Sequence, residues 1–350
     1  MKAQVLHSYD ADLAAETWLS YEDVPDPAIS AGSDVIVRVG GAGVCRTDLH
    51  IIEGVWQPRS EQTSDTLLPL ILGQENAGWI DEAGPDVEGF KKGDPVILHP
   101  KISLRQGLVG RRGDDMHSAG PTPGLNCSGG YAEAIVTSAD CLVSLGKSLG
   151  PKEAAPFAYA GLTAYRTAKR AARYLTPGET CVIIGAGGLG HLAIQVLRAL
   201  SAVEIVVVDS SDVALQLAGD CGADHLVWAD GGEVDAVMSL TKGLGAKAVF
   251  DFVGETGTTR KGLAMTCRAG SYYIAGYGED IKVSAFELVA NEKKIIGNLA
   301  GTWAELSELM ELAHRGLVQA ETQEFSLADA NVALRALLEG NIKGRAVLVP

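Results

Sequence analysis

Between Cys181 and Asp209 the chain runs through a pattern that few folds accommodate. A β-branched run, Cys181 to Ile184, meets three glycines spaced G-x-G-x-x-G: Gly185, Gly187 and Gly190. Gly188 and Leu189 complete the turn, and a helical apolar period begins at once (Leu192, Ile194, Val196, Leu197, Leu200). A second apolar run, Ile205–Val208, ends in Asp209, about 20 residues past the last glycine. Strand, glycine turn, helix, strand and acid in this register form the βαβ arrangement that takes a dinucleotide. Gly185 serves the tight turn, Gly187 lets backbone N–H groups approach a pyrophosphate, and Gly190 lets helix pack on strand. The helix N-terminus adds partial positive charge. A glycine-rich turn that served packing alone would not explain Asp209.

Asp209 also bears on which dinucleotide is expected. A carboxylate at the end of the second strand accepts the ribose hydroxyls of NAD and repels a 2′-phosphate. Ser210, Ser211 and Asp212 bring no Lys or Arg to offset that repulsion. The expected cofactor is NAD rather than NADP.

The pattern recurs along the chain. From Pro156 strands alternate with helices: Thr180–Ile184, Ile205–Asp209, His225–Trp228, Ala248–Val253, Ser271–Ala275 and Lys294–Leu299. This predicts an α/β domain with a doubly wound, six-stranded parallel sheet over 156–301. Residues 1–155 read differently, as short strands between Gly, Pro and Asp: Met1–His7, Val35–Val39, Ile71–Ala83, Asp94–Leu98 and Tyr131–Val136. Their spacing fits a β-rich, barrel-like domain. Two helical runs, around Leu306–Leu312 and Ala330–Leu338, precede a last strand, Ala346–Val349, that is expected to return to it. The first domain would then comprise 1–155 and 302–350, with the cofactor domain inserted.

A formal charge of −15 over 350 residues argues against nucleic acid or an anionic membrane as partner. No apolar run approaches the length of a bilayer span, and the N-terminus lacks a signal-peptide pattern, so a cytoplasmic protein is expected. The six cysteines include no C-x-x-C pair. Cys181, Cys221 and Cys267 are expected to be buried, reduced hydrophobes, whereas Cys45 and Cys127 lie beside polar or glycine-rich sequence.

Several blocks resemble the medium-chain dehydrogenase/reductases of the zinc alcohol dehydrogenase type, with the nearest likeness to bacterial NAD-dependent secondary alcohol dehydrogenases. These blocks are Gly43-Val-Cys45-Arg46-Thr47-Asp48-Leu-His50, Gly73-Gln74-Glu75-Asn-Ala-Gly78, Val87 to Val96, Gly129-Gly130-Tyr131-Ala132-Glu133, and Ala160-Gly161-Leu-Thr163-Ala-Tyr165, followed by the glycine fingerprint. The resemblance spans essentially the whole chain and implies a GroES-like β-barrel catalytic domain beside the Rossmann domain. It implies that Arg46 and Arg345 reach the cofactor pyrophosphate and that Thr163 contacts the nicotinamide. It further implies that Val253, Gly276 and Leu299 mark loops at the nicotinamide ribose. Thr47 and His50 match a relay that carries the alcohol proton to solvent. Homodimers or homotetramers paired through the sixth strand, Lys294–Leu299, are also implied.

The departures from that family concern its metal. The catalytic Zn²⁺ of the family takes a cysteine, the histidine of a Gly-His-Glu block, and a Cys or Asp before Ala-Gly-Leu-Thr. Here Cys45 persists, but Gln74 replaces the histidine and Tyr159 stands at the third position. An amide oxygen and a phenol are poor zinc donors, and Cys45 with Glu75 makes two ligands where three are wanted. The family's four-cysteine lobe is also missing: Pro100–Asn126 holds Lys101, Arg105, Arg111, Arg112 and His117 and no cysteine. No metal is therefore expected. In its place Tyr159 is a candidate hydrogen-bond donor and general acid, with Thr47 and His50 to reprotonate it; the alternative is that Tyr159 merely fills the vacated space. Cys45 lacks an evident base beside it and is not expected to act as a nucleophile.

Three uses of such a chain compete: an active NAD-dependent oxidoreductase, a dinucleotide-binding regulatory protein that lost catalysis with its metal, and a scaffold. A protein that only bound NAD would need no proton relay, which favours the first. Trp56, Trp303, Phe157 and Tyr159 point to an aromatic pocket and a small, hydrophobic organic substrate. Without a Lewis acid on oxygen, imines and enones join alcohols and carbonyls as substrate classes.

Overall fold

The computed structural model describes residues 1–56, 68–101 and 121–350. Arg105, Arg111, Arg112 and His117 of the basic stretch lie outside them. The described chain forms two compact units, one of residues 1–160, 301–314 and 320–350, the other of 161–300 and 315–319.

In the first unit, strands β1 (Lys2–Leu6), β2 (Leu19–Asp23) and β4 (Leu70–Ile71) make a small antiparallel sheet in the order β2-β1-β4. A seven-stranded sheet runs β15-β16-β3-β5-β6-β8, with β7 also paired to β3. Its strands are β3 (Asp34–Val44), β5 (Glu75–Ala83), β6 (Pro95–Leu98), β7 (Ala134–Ser138), β8 (Leu142–Ser144), β15 (Thr322–Ser326) and β16 (Arg345–Val349). Val5, Val35, Val37, Leu72, Ile80, Val96, Leu142 and Leu348 bury their side chains in one core. Register shifts between Ile36 and Val37 and between Val39 and Gly41 bend β3 against β5, as curved sheets require. Helix α1 (Arg46–Ile52) follows β3 directly.

Two expected strands come out differently. Ile71–Ala83 is interrupted at Gly73, whose φ of +97° turns the chain between β4 and β5. Tyr131 precedes β7; its N–H is donated to Leu72 O at 3.0 Å rather than to a sheet neighbour. Cys221 and Cys267 are half-buried, because one ends a helix and the other lies near the start of a strand, while Cys181 is fully buried as expected.

The second unit carries six strands, all parallel: β9 (Thr180–Ile184), β10 (Glu204–Asp209), β11 (His225–Trp228), β12 (Ala246–Asp251), β13 (Thr266–Ile274) and β14 (Lys294–Gly297). Their order is β11-β10-β9-β12-β13-β14. The chain proceeds outward from β9 in one direction and then in the other, so the strand order reverses there. Ile205 to Val208 are buried without alternation, the mark of a parallel strand covered on both faces. Ligands of such sheets bind beyond the carboxyl ends of the strands at the reversal point, here Ile184–Gly185 and Asp209. Among the described residues no helix is long and apolar enough to cross a membrane.

Candidate active site

The reversal point of the second unit is built by its glycines. Gly185 has φ +86° and donates its N–H to Val208 O at 2.9 Å, which turns the chain out of β9 beside the end of β10. A Cβ on Gly190 would lie 1.9 Å from Gly185 O, so only glycine lets the next helix begin this close to the strand. A Cβ on Gly187 would meet nothing within 4 Å and opens into free space. The helix Gly190–Leu200 starts without a side-chain cap; His191 and Leu192 donate their N–H groups to Gly187 O at 3.4 Å and Leu189 O at 3.2 Å, and the positive end of the helix dipole favours an anion there. Asp209 is fixed in place: Oδ2 accepts Ala186 N–H at 2.7 Å and Oδ1 accepts Ser211 N–H at 2.9 Å. Each carboxylate oxygen retains a lone pair for a ribose hydroxyl. Gly185, Asp209, Ser210 and Val253 line a cavity of about 150 Å³. These residues fit a dinucleotide.

Beyond β12 and β13 the two loops close on each other. A Cβ on Gly276 would lie 2.3 Å from the Val253 carbonyl carbon. Thr163 is buried and its carbonyl accepts the Thr167 hydroxyl at 2.7 Å; Leu299 is 40% exposed.

In the first unit, sheet register gathers the other candidates. β3 pairs Gly43 with Glu75 of β5 and Val44 with Ala346 of β16, so Cys45, Glu75 and Arg345 meet at one end of the sheet. A Cβ on Gly43 would stand 2.1 Å from Glu75 Oε2, which reserves that position for glycine. Glu75 Oε1 accepts Arg345 Nη2 at 2.5 Å and Ala160 N–H at 3.2 Å. Both side chains are essentially inaccessible, at 0% and 3% exposure. Cys45 lies near enough to feel the charges of both. Burial alone would weaken the Arg345 proton, but Glu75 beside it outweighs burial and holds the guanidinium cationic. Burial, with Glu75 beside it, pushes the Cys45 thiol up despite Arg345.

α1 sits on this cluster. Cys45 is its N-cap, and Asp48 Oδ2 accepts Cys45 N–H and the Tyr131 hydroxyl, each at 2.8 Å. Thr47 Oγ1 lies 3.6 Å from Cys45 Sγ. His50, three residues on and therefore on the same helix face, pairs through Nδ1 with Glu53 at 2.9 Å. Arg46, in contrast, is exposed. Tyr159 is half-buried between the 3₁₀ turn Ala155–Ala158 and the helix from Ala160, next to the N–H that Glu75 receives. Phe157 is fully buried in the core, Trp303 donates its indole N–H to Leu142 O at 3.0 Å, and Trp56 is 37% exposed.

Set against zinc chemistry, the three positions implied by resemblance offer a thiol, an amide and a phenol. Gln74 is 2% exposed and its Nε2 has no hydrogen-bond acceptor, and the cation beside Cys45 is Arg345. Among the described residues no group of three or more His, Cys, Asp or Glu side chains is placed to hold a metal ion. This donor set does not fit Zn²⁺, which takes three strong donors at a catalytic site.

Sequence reasoning missed the Asp48–Tyr131 bond and the partner of Arg345. Both lay inside the quoted blocks, but nothing in a linear pattern shows that residues 270 apart share a sheet end. Asp48 carries a consequence for pH. Burial pushes its carboxyl up to about 7, against 3.8 as the ordinary value. Between these values the folded chain holds a proton that the unfolded chain releases, so stability falls as pH rises from about 4 to about 7, by on the order of 4 kcal/mol. Asp48→Asn should remove the Asp48 share of that slope and leave the share of Glu75, whose carboxyl burial also pushes up, measured by urea unfolding at about pH 4.5 and 7.5; an unchanged slope would place its origin elsewhere.

Comparison with known proteins agrees with this architecture. Residues 31–147 match the family model of the alcohol dehydrogenase GroES-like domain and residues 188–315 that of the zinc-binding dehydrogenases. An NAD-dependent alcohol dehydrogenase of Sulfolobus acidocaldarius is 36% identical over 355 aligned residues, covering 99% of each chain. A D-arabinose 1-dehydrogenase (NADP⁺) of Saccharolobus solfataricus is 35% identical, covering 95% of this chain and 94% of its own. The crystal structure of the Aeropyrum pernix alcohol dehydrogenase superposes with a TM-score of 0.94 at 41% identity, covering 100% of both chains. With this identity along its whole length, the chain belongs to the zinc-type alcohol dehydrogenase family of the medium-chain dehydrogenase/reductases.

Proposed function

We propose that this protein is an NAD-dependent oxidoreductase that transfers hydride between the nicotinamide and a small, mostly apolar alcohol or carbonyl compound, and that it works without a catalytic zinc. Imines and enones are the adjoining substrate classes. One asymmetry carries the reading. The glycine turn, Asp209 and the Thr47–His50 face of α1 are intact, whereas Gln74 and Tyr159 stand at metal-ligand positions and a guanidinium lies against Cys45.

NAD, when bound, supplies the hydride donor or acceptor. The chain supplies the rest. The Gly185–Gly190 turn and its uncapped helix receive the diphosphate, and Asp209 receives the ribose. A carbonyl that gains hydride at carbon must gain a proton at oxygen, and Tyr159 is the group we assign to donate it. Thr47 and His50 carry protons between that site and Glu53, which is 25% exposed. Cys45, enclosed and with its thiol pushed up by burial, is assigned no part as a nucleophile. Pairing into homo-oligomers through β14, a terminal strand of its sheet, belongs to the same reading.

Relatives of similar identity are named for NAD and for NADP, so the cofactor choice rests on Asp209. NAD should be preferred by at least roughly tenfold, the worth of a single charged contact, measured by titrating both cofactors. Equal affinity would mean that Asp209 does not meet the ribose. The function itself is tested by NADH oxidation against a panel of ketones, aldehydes, imines and enones. Acceptor-dependent oxidation is expected; NADH binding without turnover of any acceptor would instead favour a dinucleotide-binding regulator.

A further inference from the structure

The cavity that Asp209 lines holds a second acid. Glu233, the first residue of the helix Glu233–Leu240, and Lys261, on the helix Thr258–Met265, face it together with Ser210, Ala229 and Thr258. Three of the lining residues are charged: Asp209, Glu233 and Lys261. Lys261 is the one cation among them, and its Nζ lies 2.5 Å from Glu233 Oε1. Glu233 is 2% exposed and its Oε2 accepts Gly231 N–H at 2.7 Å, so the carboxylate cannot swing away. Burial would push this carboxyl up, but Lys261 and the neighbouring N–H groups prevail and hold it below its ordinary range. The lysine charge is thereby engaged, and the lining carries a net −1 from its three charged side chains.

We propose that the Glu233–Lys261 pair is a second determinant of cofactor choice: Glu233 withholds from a 2′-phosphate the one lysine that lines its cavity. The inference rests on the reading of this cavity as the adenosine end of the NAD site. Asp209 repels the phosphate; Glu233 removes the counter-charge that would compensate. A phosphate needs charged donors within hydrogen-bond reach to leave water, and the described lining holds no cation besides the lysine already paired with Glu233. Sequence inspection confined to Ser210, Ser211 and Asp212 overlooks the pair, since Glu233 and Lys261 lie on two later helices.

The test uses the full chain and two adenosine fragments that involve no hydride chemistry, 5′-AMP and 2′,5′-ADP, titrated calorimetrically. The unaltered protein should bind 5′-AMP more tightly than 2′,5′-ADP. Glu233→Gln keeps the size of the side chain and an acceptor for Gly231 while releasing the lysine. It should raise the affinity for 2′,5′-ADP relative to that for 5′-AMP by roughly ten- to a hundredfold. Adding Lys261→Met should erase the gain. Glu233→Ser serves the same purpose should the Gln variant not fold. A Glu233 variant with an unchanged ratio, or a double variant that keeps the gain, overturns the proposal. Failure of the unaltered protein to bind 5′-AMP would instead overturn the cofactor reading beneath it.

Discussion

Tyr159→Phe should lower kcat by roughly 10²- to 10⁴-fold, the usual worth of a positioned general acid, while NAD affinity stays unchanged. The expectation follows from where the residue sits. Its backbone is held between a 3₁₀ turn and a helix, and the next N–H, that of Ala160, is donated to Glu75. The phenol thus belongs to the segment that closes over the Cys45–Glu75–Arg345 cluster, and it is half-buried rather than sealed in the core. Phe keeps the ring and removes only the hydroxyl, so packing is retained and proton donation is lost. Steady-state rates with NADH and the best acceptor, paired with cofactor titration, decide it. A rate within a few-fold of the unaltered protein would make Tyr159 a packing residue and shift the proton donor to Thr47 or Glu75.

Glu75→Ala should destabilise the fold by about 3–5 kcal/mol, because it strands a buried guanidinium that no water can reach. Arg345 is 3% exposed and its Nε already lacks a hydrogen-bond partner, so little remains to compensate. The double variant Glu75→Leu/Arg345→Met should recover to within about 1 kcal/mol of the starting stability, since replacing both charges removes the desolvation cost along with the attraction. Urea denaturation measures all three proteins. A single variant that costs less than about 1 kcal/mol would mean that the pair is not closed off from solvent.

The second unit was legible in the sequence almost throughout, and for a physical reason. Its strands are continuous β-branched runs, its turns carry glycines at fixed offsets, and its contacts lie between consecutive segments, so Gly185 and Asp209 announce themselves. The first unit was legible in its blocks but less so in its elements. Gly73 breaks what reads as one long strand, and Tyr131 looks like strand but pairs with Leu72 across a loop. The polar cluster was the least legible part. The resemblance implies Arg345 at the cofactor pyrophosphate, and nothing in the linear pattern announces that its guanidinium also meets Glu75. That meeting is made by β3 pairing with β5 on one side and β16 on the other, a long-range register that no local pattern encodes. Glu233 and Lys261 escaped for the same reason.

The measurement that bears most directly on metal-free hydride transfer is zinc content and activity determined on one preparation, before and after exhaustive dialysis against a chelator. Metal-free transfer predicts far less than one zinc per chain and an acceptor-dependent NADH oxidation rate that chelation does not change. One zinc per chain, with activity that falls on chelation and returns when zinc is added back, would contradict it. Cys45 and Glu75 would then have to leave Arg345 for a metal.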